Sequence, residues 1–359
     1  MTTTSRPPAR AGRGHSRVLE VSTAAGPGTT RVVDEPLAPT DRGTSVLRIH
    51  RFAVTSNNVS YFRTRDQLGH GRAFPAASGW MRVPVWGDAT VVDGASGGPR
   101  EGTRVIGYLP MATTVAMSLE PRTDGTLVET SAGRSHLPPI YQQYRVVESP
   151  ADGLELATLH IEALASALVP DLVGAGVEHV LISSAGSKTG QALAFLLAEA
   201  GVACTGLTGD RSAPGGNAAA LVGYDDLSSL SVPPGSVFLD IAGDPRLRGR
   251  IVAQCGGALA RTLGIGGTRL AGPIPAEYAG PASPVVERYG AGPRLAEMER
   301  EQGTDAVRLL RERTRLRLLA WARETVTVRR LDGLGAAAAV WPGIVRGGHG
   351  ATEIHLVAP

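Results

Sequence analysis

The chain has 359 residues, of which 42% are hydrophobic and 19% are charged, an ordinary balance for a globular protein with a substantial core. Because this length exceeds that of most single domains, we expect two domains. The 36 basic and 33 acidic residues leave a formal net charge of +3 without forming a basic stripe, which argues against a nucleic-acid partner.

The N-terminal segment, residues 1–17, is basic and rich in proline and glycine, and it has no apolar core segment. It therefore predicts a disordered tail rather than a secretory signal. No part of the sequence approaches about 18 unbroken apolar residues, so we expect no membrane-spanning helix and no membrane partner. Together these features predict a cytoplasmic protein.

Residues 18–150 contain many short β-type segments separated by glycine, proline and aspartate. Strands are expected over residues 18–37 and 45–61, and in the later segments RVPVWGDATVVDG, GTRVIGYLPMATTVAM and GTLVETS. Short strands at this spacing predict an antiparallel barrel or sandwich.

Residues 151–322 alternate between apolar strands and helical patterns, which predicts a parallel sheet with crossover helices. The expected strands are HVLISS, ACTGLTG, SVFLDIAG and ALARTLGIGG. The expected helices cover residues 154–168 and 190–200, a stretch near Ala218, residues 248–254, and one long amphipathic pattern over 294–322. Five arginines of this last pattern are interpreted as a solvated face rather than a site for an anionic partner: Arg308, Arg311, Arg313, Arg315 and Arg317.

Residues 323–359 carry two further β-type segments, TVTVRRL and TEIHLVA, joined by GIVRGGHG. We expect this segment to return to the first domain. Such a return leaves a cleft between the two domains, and clefts of this kind are common ligand sites.

The turn after HVLISS is the first candidate binding element. A strand that feeds a helix through small residues leaves the first N–H groups of the helix unpaired, and together with the helix dipole they attract phosphate. Of the three glycines in the dinucleotide fingerprint only the middle one is kept, at Gly186, and the order of lysine and glycine excludes a P-loop. The alternative therefore stays open that the turn only connects the strand to the helix. In that case Lys188 is a solvated residue at the helix start. The candidate cofactor-binding residues of the turn are Ser184, Gly186, Ser187, Lys188, Thr189 and Gly190.

The end of the next strand is the second candidate element, because a Rossmann unit contacts the adenosine ribose about 20 residues after the glycine turn. Thr208 ends that strand, and Asp210 and Arg211 follow. An acid there favours a free 2′-hydroxyl, and a basic residue favours a 2′-phosphate. Asp210 and Arg211 therefore give opposite indications. The alternative is that both residues belong to a solvated turn. We predict NADP(H) as the cofactor and leave NAD(H) open.

The segments SVLRIHRFAVTSNN, RVPVWGDATVVDG and EGTRVIGYLPMATTVAM resemble the front-domain strands of medium-chain dehydrogenase/reductases. SAGSKTG corresponds to the nucleotide turn of that superfamily. The combination of NN, PVWG, GYLPM, LPPIYQQYR and SSAGSKT resembles one bacterial branch described as a domain of unknown function. The resemblance covers about residues 18–359. It implies an α/β protein with a GroES-like β domain, a Rossmann-type doubly wound parallel sheet, and nicotinamide at the cleft.

The same resemblance implies a zinc-independent enzyme. Zinc-dependent members use cysteine and His/Glu ligands in the front domain, whereas Cys204 and Cys255 both fall in the second half of this chain. The zinc-free reductases transfer hydride from NADPH to activated alkenes or quinones. We therefore expect an NADP(H)-dependent oxidoreductase without metal that acts on an α,β-unsaturated or keto carbonyl, free or carrier-linked, in a biosynthetic pathway.

The catalytic candidates are Asn57, Tyr61 and Tyr141. The family makes its substrate contacts near the segment that matches Asn57 and Asn58, where an amide can hold a carbonyl oxygen as charge builds up. Tyr141 can protonate an enolate. The alternatives are a turn-forming asparagine pair and a tyrosine that packs the domain interface. His70 lies in a loop rich in glycine and proline that can form a lid over the cleft.

A competing function keeps the fold without hydride transfer. Two of the three fingerprint glycines are replaced, so the site can instead hold an acyl or phosphate-bearing ligand in a lyase, an isomerase or a non-catalytic partner. A homodimer is left open.

Overall fold

A computed structural model describes residues 14–37, 43–209, 217–265, 286–348 and 350–359. Its α-helices are α1 (Ser56–Arg63), α2 (Gly153–Gly174), α3 (Lys188–Glu199), α4 (Pro245–Cys255), α5 (Ala291–Gln302), α6 (Thr304–Thr325) and α7 (Gly333–Val345). The strands of the first domain are β1 (His15–Ser22), β2 (Thr30–Pro36), β3 (Ser45–Val54), β4 (Trp80–Met81), β5 (Pro84–Asp93), β6 (Arg104–Pro110), β7 (Thr114–Met117), β8 (Leu119–Pro121), β9 (Leu127–Glu129) and β10 (Gln143–Val147). The remaining strands are β11 (His179–Ser183), β12 (Ala203–Thr208), β13 (Ala220–Gly223), β14 (Ser236–Asp240), β15 (Leu259–Gly264), β16 (Val286–Arg288), β17 (Thr327–Asp332) and β18 (Glu353–Ala358).

The first domain consists mostly of antiparallel strands around one mainly aliphatic core. A small sheet has the strand order β2-β1-β4, and a large sheet has the order β17-β18-β3-β5-β6-β10-β9-β8, with β7 also paired to β3. The core between them includes the fully buried side chains of Leu19, Leu47, Phe52 and Leu109. The first strand begins at His15, inside the segment predicted as a tail.

The second domain is a six-stranded parallel sheet in the order β13-β12-β11-β14-β15-β16. Its central strand β11 is buried over Val180–Ser183, as expected for a sheet covered by helices on both faces. The predicted α/β class, with an antiparallel first domain and a parallel second domain, is therefore confirmed.

The C-terminal segment belongs to the first domain. β17 pairs in parallel with β18, and β18 pairs antiparallel with β3, so the chain ends within the large sheet. A parallel pair needs a crossover connection, and α7 supplies it. The prediction of two strands joined only by a loop missed this helix.

The strand predicted over residues 45–61 ends at Val54, and the prediction is wrong from Ser56 onward, where α1 begins. The Thr55 hydroxyl accepts the N–H of Asn57, and the Asn58 side chain accepts the N–H of Thr55 at 2.7 Å. This reciprocal capping pairs donors that a helix start otherwise leaves free, so it favours a helix over a continued strand.

Two helix predictions in the second domain are also wrong. Residues 217–219 are not helical, and β13 follows directly at Ala220. The pattern over 294–322 is two helices rather than one, because Gly303 takes a φ of 91° between α5 and α6. A positive φ of this kind ends a helix and is accessible mainly to glycine.

The arginines of α6 are not simply a solvated face. Arg311 binds Glu162 and Arg315 binds Glu155, both on α2, so these two guanidinium groups link the helices. α2 is the one helix among the described residues that is long and apolar enough to cross a membrane. It packs against α3, α5 and α6, and its apolar surface is therefore explained by its place in the core.

Candidate functional site

The turn between β11 and α3 is tight and left-handed at its first residue. Ser184 has a φ of 52° and is the one non-glycine residue with positive φ in the described part of the chain. The hydroxyl of Tyr224 accepts its N–H at 2.7 Å. Ser187 caps α3, since its hydroxyl accepts the N–H of Gly190 at 3.1 Å.

The start of α3 leaves backbone donors free. The N–H groups of Gly186, Lys188 and Thr189 have no hydrogen-bond partner among the described residues. Gly190 brings the helix close to the turn, because a Cβ atom there would lie 2.6 Å from the Ser184 carbonyl oxygen. Free amides at a helix start, beside a glycine that permits close packing, are the features that bind a phosphate.

Lys188 does not project into solvent. Its side chain is 5% exposed, and its Nζ donates to the carbonyl oxygens of Ala351 and Glu353 at 3.1 and 2.9 Å. Burial lowers the pKa of Lys188 to about 8, partly opposed by the Glu353 carboxylate. The alternative of a solvated helix-start residue is therefore wrong. A contact between this ammonium group and a phosphate stays a prediction.

The ribose candidates are only partly described. Thr208 is buried at the end of β12, and its carbonyl oxygen accepts the N–H of Tyr224 at 2.9 Å. Asp210 and Arg211 lie outside the described residues. The preference between NADP(H) and NAD(H) at this position stays a prediction.

A buried polar network lies at the end of β11, just before the turn, and the sequence did not indicate it. The Ser183 hydroxyl donates to Asp240 at 3.0 Å and accepts the N–H groups of Ile241 and Ala242, while Arg248 donates to Asp240 at 2.6 Å. These bonds join the carboxyl ends of β11 and β14, which fixes the edge from which the turn begins. The run LDIAGDPRLR carries the acid and the arginine, and their side-chain pairing is a tertiary contact.

A second cluster, the aromatic cluster, lies in the first domain. Aromatic residues make up only 4% of the chain, yet several of them gather here around a histidine. Its members are Tyr61, His70, Phe74, Trp86, Tyr108 and Tyr141. The cluster is therefore richer in aromatic residues than the mainly aliphatic core of the first domain.

Two of the three predicted catalytic residues, Tyr61 and Tyr141, are members of this cluster, and Asn57 lies beside Tyr61. The Tyr61 hydroxyl accepts the indole N–H of Trp86 at 3.1 Å, and the Tyr61 and Tyr141 ring centroids are 5.9 Å apart. Asn57 Nδ2 is buried without a hydrogen-bond partner in the described part of the chain. It nevertheless faces the Tyr61 hydroxyl, and its hydrogen bonding to that oxygen lowers the pKa of Tyr61 although the geometry falls short of a normal hydrogen bond. An unpaired buried donor beside two phenols is a group that a ligand oxygen can satisfy.

The phenols of the cluster hold their protons at neutral pH. Burial raises the pKa of Tyr61 well above its usual value, and Tyr141 adds to that rise. Burial also raises the pKa of Tyr141. Asn58, by contrast, caps α1 and donates to the Pro84 carbonyl at 2.8 Å, so its role is structural.

His70 and Tyr108 complete the cluster. The Tyr108 hydroxyl lies 2.7 Å from His70 Nδ1. His70 is 1% exposed, so its loop does not present it as a mobile lid. Burial, with a contribution from His136, lowers the pKa of His70 to about 4.

Adjacent residues of α2 reach both the turn and the aromatic cluster. Leu159 packs against the aromatic cluster, and His160 lies near enough to Lys188 for the ammonium charge to lower the pKa of His160. The larger cause of that lowering is burial. Neighbouring positions of one helix thus approach both the candidate nucleotide turn and the candidate catalytic residues.

The described residues contain no group of three or more His, Cys, Asp or Glu side chains that could hold a metal ion. Burial raises the pKa of Cys204 to about 12 and also raises that of Cys255. These two thiols are therefore protonated at neutral pH and weak as ligands. Independence from zinc stays a prediction.

This fold and domain arrangement are similar to those of solved oxidoreductases, among them proteins assigned as NADPH:quinone reductases, in agreement with the fold that the sequence resemblance implies. A Mesorhizobium loti protein assigned as an NADPH:quinone reductase superposes with a TM-score of 0.64 at 13% identity, covering 96% of this chain and 98% of that one. A Bacillus thuringiensis protein with the same assignment gives 0.61 at 14% identity, covering 96% and 99%. An oxidoreductase from Salmonella enterica in complex with NADP gives 0.54 at 15% identity, covering 96% and 99%.

The chain belongs to the family described as "Protein of unknown function (DUF2855)", whose model matches residues 52–349. A search of the curated proteins finds no match. The membership agrees with the bacterial branch that the sequence motifs indicate.

Proposed function

We propose that the protein is an NADP(H)-dependent oxidoreductase that works without zinc and reduces an activated carbonyl compound, either α,β-unsaturated or keto. The observation that carries the proposal is that two adjacent residues of α2 approach the two candidate sites, since Leu159 packs against the aromatic cluster and His160 lies near Lys188 at the turn. The fold neighbours include an oxidoreductase in complex with NADP, which supports the choice of cofactor.

The residues at the turn fit a dinucleotide. The amides of Gly186, Lys188 and Thr189 would hold the pyrophosphate, with Ser187 at the helix cap and Gly190 permitting the close approach. Ser184 would shape the turn, and Thr208, Asp210 and Arg211 would contact the adenosine ribose. The bound cofactor supplies a hydride to the substrate.

The aromatic cluster and the neighbouring Asn57 would bind the carbonyl oxygen of the substrate and supply a proton to the enolate. Asn57 Nδ2 is a buried donor that lacks a partner in the described structure, so a substrate carbonyl oxygen can accept from it as negative charge develops. Tyr141 is the least buried phenol of the cluster and would deliver a proton to the enolate. Tyr61 would position Tyr141 within the cluster.

The cofactor is tested by adding NADPH and NADH separately to the purified protein and following its thermal unfolding. A nucleotide at about one hundred times its dissociation constant should stabilise the folded state by about 2.7 kcal/mol. Activity is then measured with a panel of enones, quinones and ketones, free and carrier-linked. Tyr141→Phe should lower kcat by about 100-fold or more, because general acid catalysis contributes at least that much, and should leave NADPH binding unchanged.

Tyr289→Phe is the matched control, because the Tyr289 hydroxyl binds Asp171 of the second domain and no member of the aromatic cluster. It should retain near wild-type kcat. Stabilisation by neither nucleotide would overturn the proposal. That result would favour the fold without hydride transfer, for which the replacement of a fingerprint glycine by Ser184 is the supporting observation.

A further inference from the structure

The His70–Tyr108 pair has a defined hydrogen arrangement. Tyr108 is 0% exposed, and burial raises its pKa well above the usual value, so the phenol keeps its proton. The imidazole of His70 is neutral at neutral pH and therefore has one donor nitrogen and one acceptor nitrogen. His70 Nδ1, at 2.7 Å, is the one partner of the Tyr108 hydroxyl among the described residues.

The tautomer follows from this single contact. If Nδ1 carried the hydrogen, the buried Tyr108 hydroxyl would have no acceptor, and leaving a buried donor unpaired costs about 1–3 kcal/mol. The arrangement that satisfies both groups has the Tyr108 O–H donating to Nδ1. The hydrogen of the imidazole then lies on Nε2. In histidine, the hydrogen bond made by one ring nitrogen commonly determines which of the two nitrogens carries the hydrogen.

The loop that carries His70 is held in place from outside the aromatic cluster. Gly69 has a φ of 76°, and a Cβ atom there would lie 2.2 Å from the His136 ring. His136 Nε2 lies 2.9 Å from the Gly69 carbonyl oxygen, and Arg134 donates to the Ala73 carbonyl at 3.2 Å. These contacts hold the backbone on both sides of the short helical turn His70–Arg72.

His70 Nε2 has no hydrogen-bond partner in the described part of the chain. The imidazole packs 4.6 Å from the ring of Tyr61 and 5.1 Å from that of Tyr141, measured between centroids. It thus packs against Tyr61, the same side chain beside which the unpaired Nδ2 of Asn57 lies.

We propose that the Nε2–H of His70 is a further catalytic donor, which binds the carbonyl oxygen of the substrate beside Asn57, and that Tyr108 is the positioning residue that fixes its tautomer. This inference rests on the proposed function. No proton leaves His70: the imidazole stabilises the developing oxyanion by a hydrogen bond, and Tyr141 provides the proton that the enolate takes up.

Kinetics test the donor. His70→Phe should lower kcat by about 100-fold, the loss typical of one oxyanion-hole donor, with a much smaller change in KM. Tyr108→Phe should lower kcat by a smaller factor. The imidazole stays in place, but its hydrogen is no longer held on Nε2. His50→Gln is the matched control, since His50 binds Thr90 on the outer part of the same domain, and it should retain near wild-type kcat. Wild-type kcat in His70→Phe would overturn the proposal.

Nitrogen NMR of protein labelled in its histidines tests the tautomer without any turnover. The His70 resonances should report hydrogen on Nε2 in the wild type and a mixture of tautomers in Tyr108→Phe. A hydrogen on Nδ1 in the wild type would overturn the inference. Failure of the proposed function is recognised separately, as a wild-type protein that neither binds NADPH nor transfers hydride whatever the tautomer of His70.

Discussion

Ser184 adopts a left-handed backbone conformation, φ 52°, at the first position of the glycine fingerprint. A side chain in this region brings its Cβ atom close to the backbone, which costs about 1–2 kcal/mol relative to glycine. The bond from its N–H to the Tyr224 hydroxyl helps to hold the turn in this shape. The replacement therefore keeps the geometry of the turn at a cost in stability.

Ser184→Gly should raise the free energy of unfolding by roughly 0.5 kcal/mol, because relief of the left-handed strain is partly offset by the greater entropy of glycine in the unfolded chain. Urea denaturation measures the change. Ser184→Ala is the control, since it keeps the Cβ atom and hence the strain, and it should be close to the wild type. A glycine variant less stable than the alanine variant would contradict the argument.

The candidate site could be predicted in part from single residues. Asn57, Tyr61 and Tyr141 follow from motif positions, and the structure brings them together. His70 and Tyr108 could not be assigned a joint role from the sequence, because their contact joins a loop to a strand across 38 positions. Side-chain pairing over such separations leaves no periodic signal along the chain.

At the scale of elements, α7 anchors the C-terminal segment to the first domain. Trp341 is fully buried in the aliphatic core, and its indole N–H donates to the Pro27 carbonyl at 2.6 Å. The helix thus packs into this core through Leu334, Trp341 and Ile344, and Trp341 also binds the loop between β1 and β2. Because β17 and β18 are parallel, this connection cannot be a short hairpin.

Trp341→Phe should lower the free energy of unfolding by about 0.5–1.5 kcal/mol beyond the loss of packing, because the half-buried Pro27 carbonyl loses its donor. The control is Trp321→Phe in the second domain, where the buried indole makes no hydrogen bond to the described residues. It should cost less, since only packing changes. Equal losses in the two variants, measured by chemical denaturation, would show that the bond contributes nothing.

Elements with a clear period were predictable, and elements decided by caps or tertiary pairing were not. The parallel sheet follows from apolar strands alternating with helical patterns, and β11, β12, β14 and β15 occur where this alternation predicts them. The helix at Ser56 depends on the cap at Thr55. The β-branched residues up to Thr55 favour a strand, so the sequence pattern gives no sign of this helix start. Residues 333–345 are rich in alanine and glycine with little polar contrast, so their helical period is weak.

At the scale of the whole molecule, Lys188 connects the two domains. Its Nζ, on the first residue of α3, donates to two carbonyl oxygens of the C-terminal segment, which pairs with the first domain. Burial lowers the pKa of Lys188 to about 8 from 10.5. A neutral amine still has two N–H groups, so both bonds persist after the proton is lost.

This lowered pKa fixes the sign of a pH effect. Between pH 8 and pH 10.5 the unfolded chain binds a proton at Lys188 that the folded protein has released, so the contribution of this residue to stability rises with pH. This gain in stability is complete above pH 10.5 and is lost as the pH falls through 8. The full difference is about 3 kcal/mol.

The buried phenols act in the opposite direction, because Tyr61, Tyr108 and Tyr141 have raised pKa values and ionise first in the unfolded chain. The effect of Lys188 must therefore be measured as a difference from Lys188→Met, in which the tyrosine contributions cancel. Denaturant unfolding across this pH range should show the wild type gaining stability relative to the variant. A constant difference would mean that the folded protein keeps Lys188 protonated with an ordinary pKa, and that the two carbonyl oxygens compensate fully for its burial.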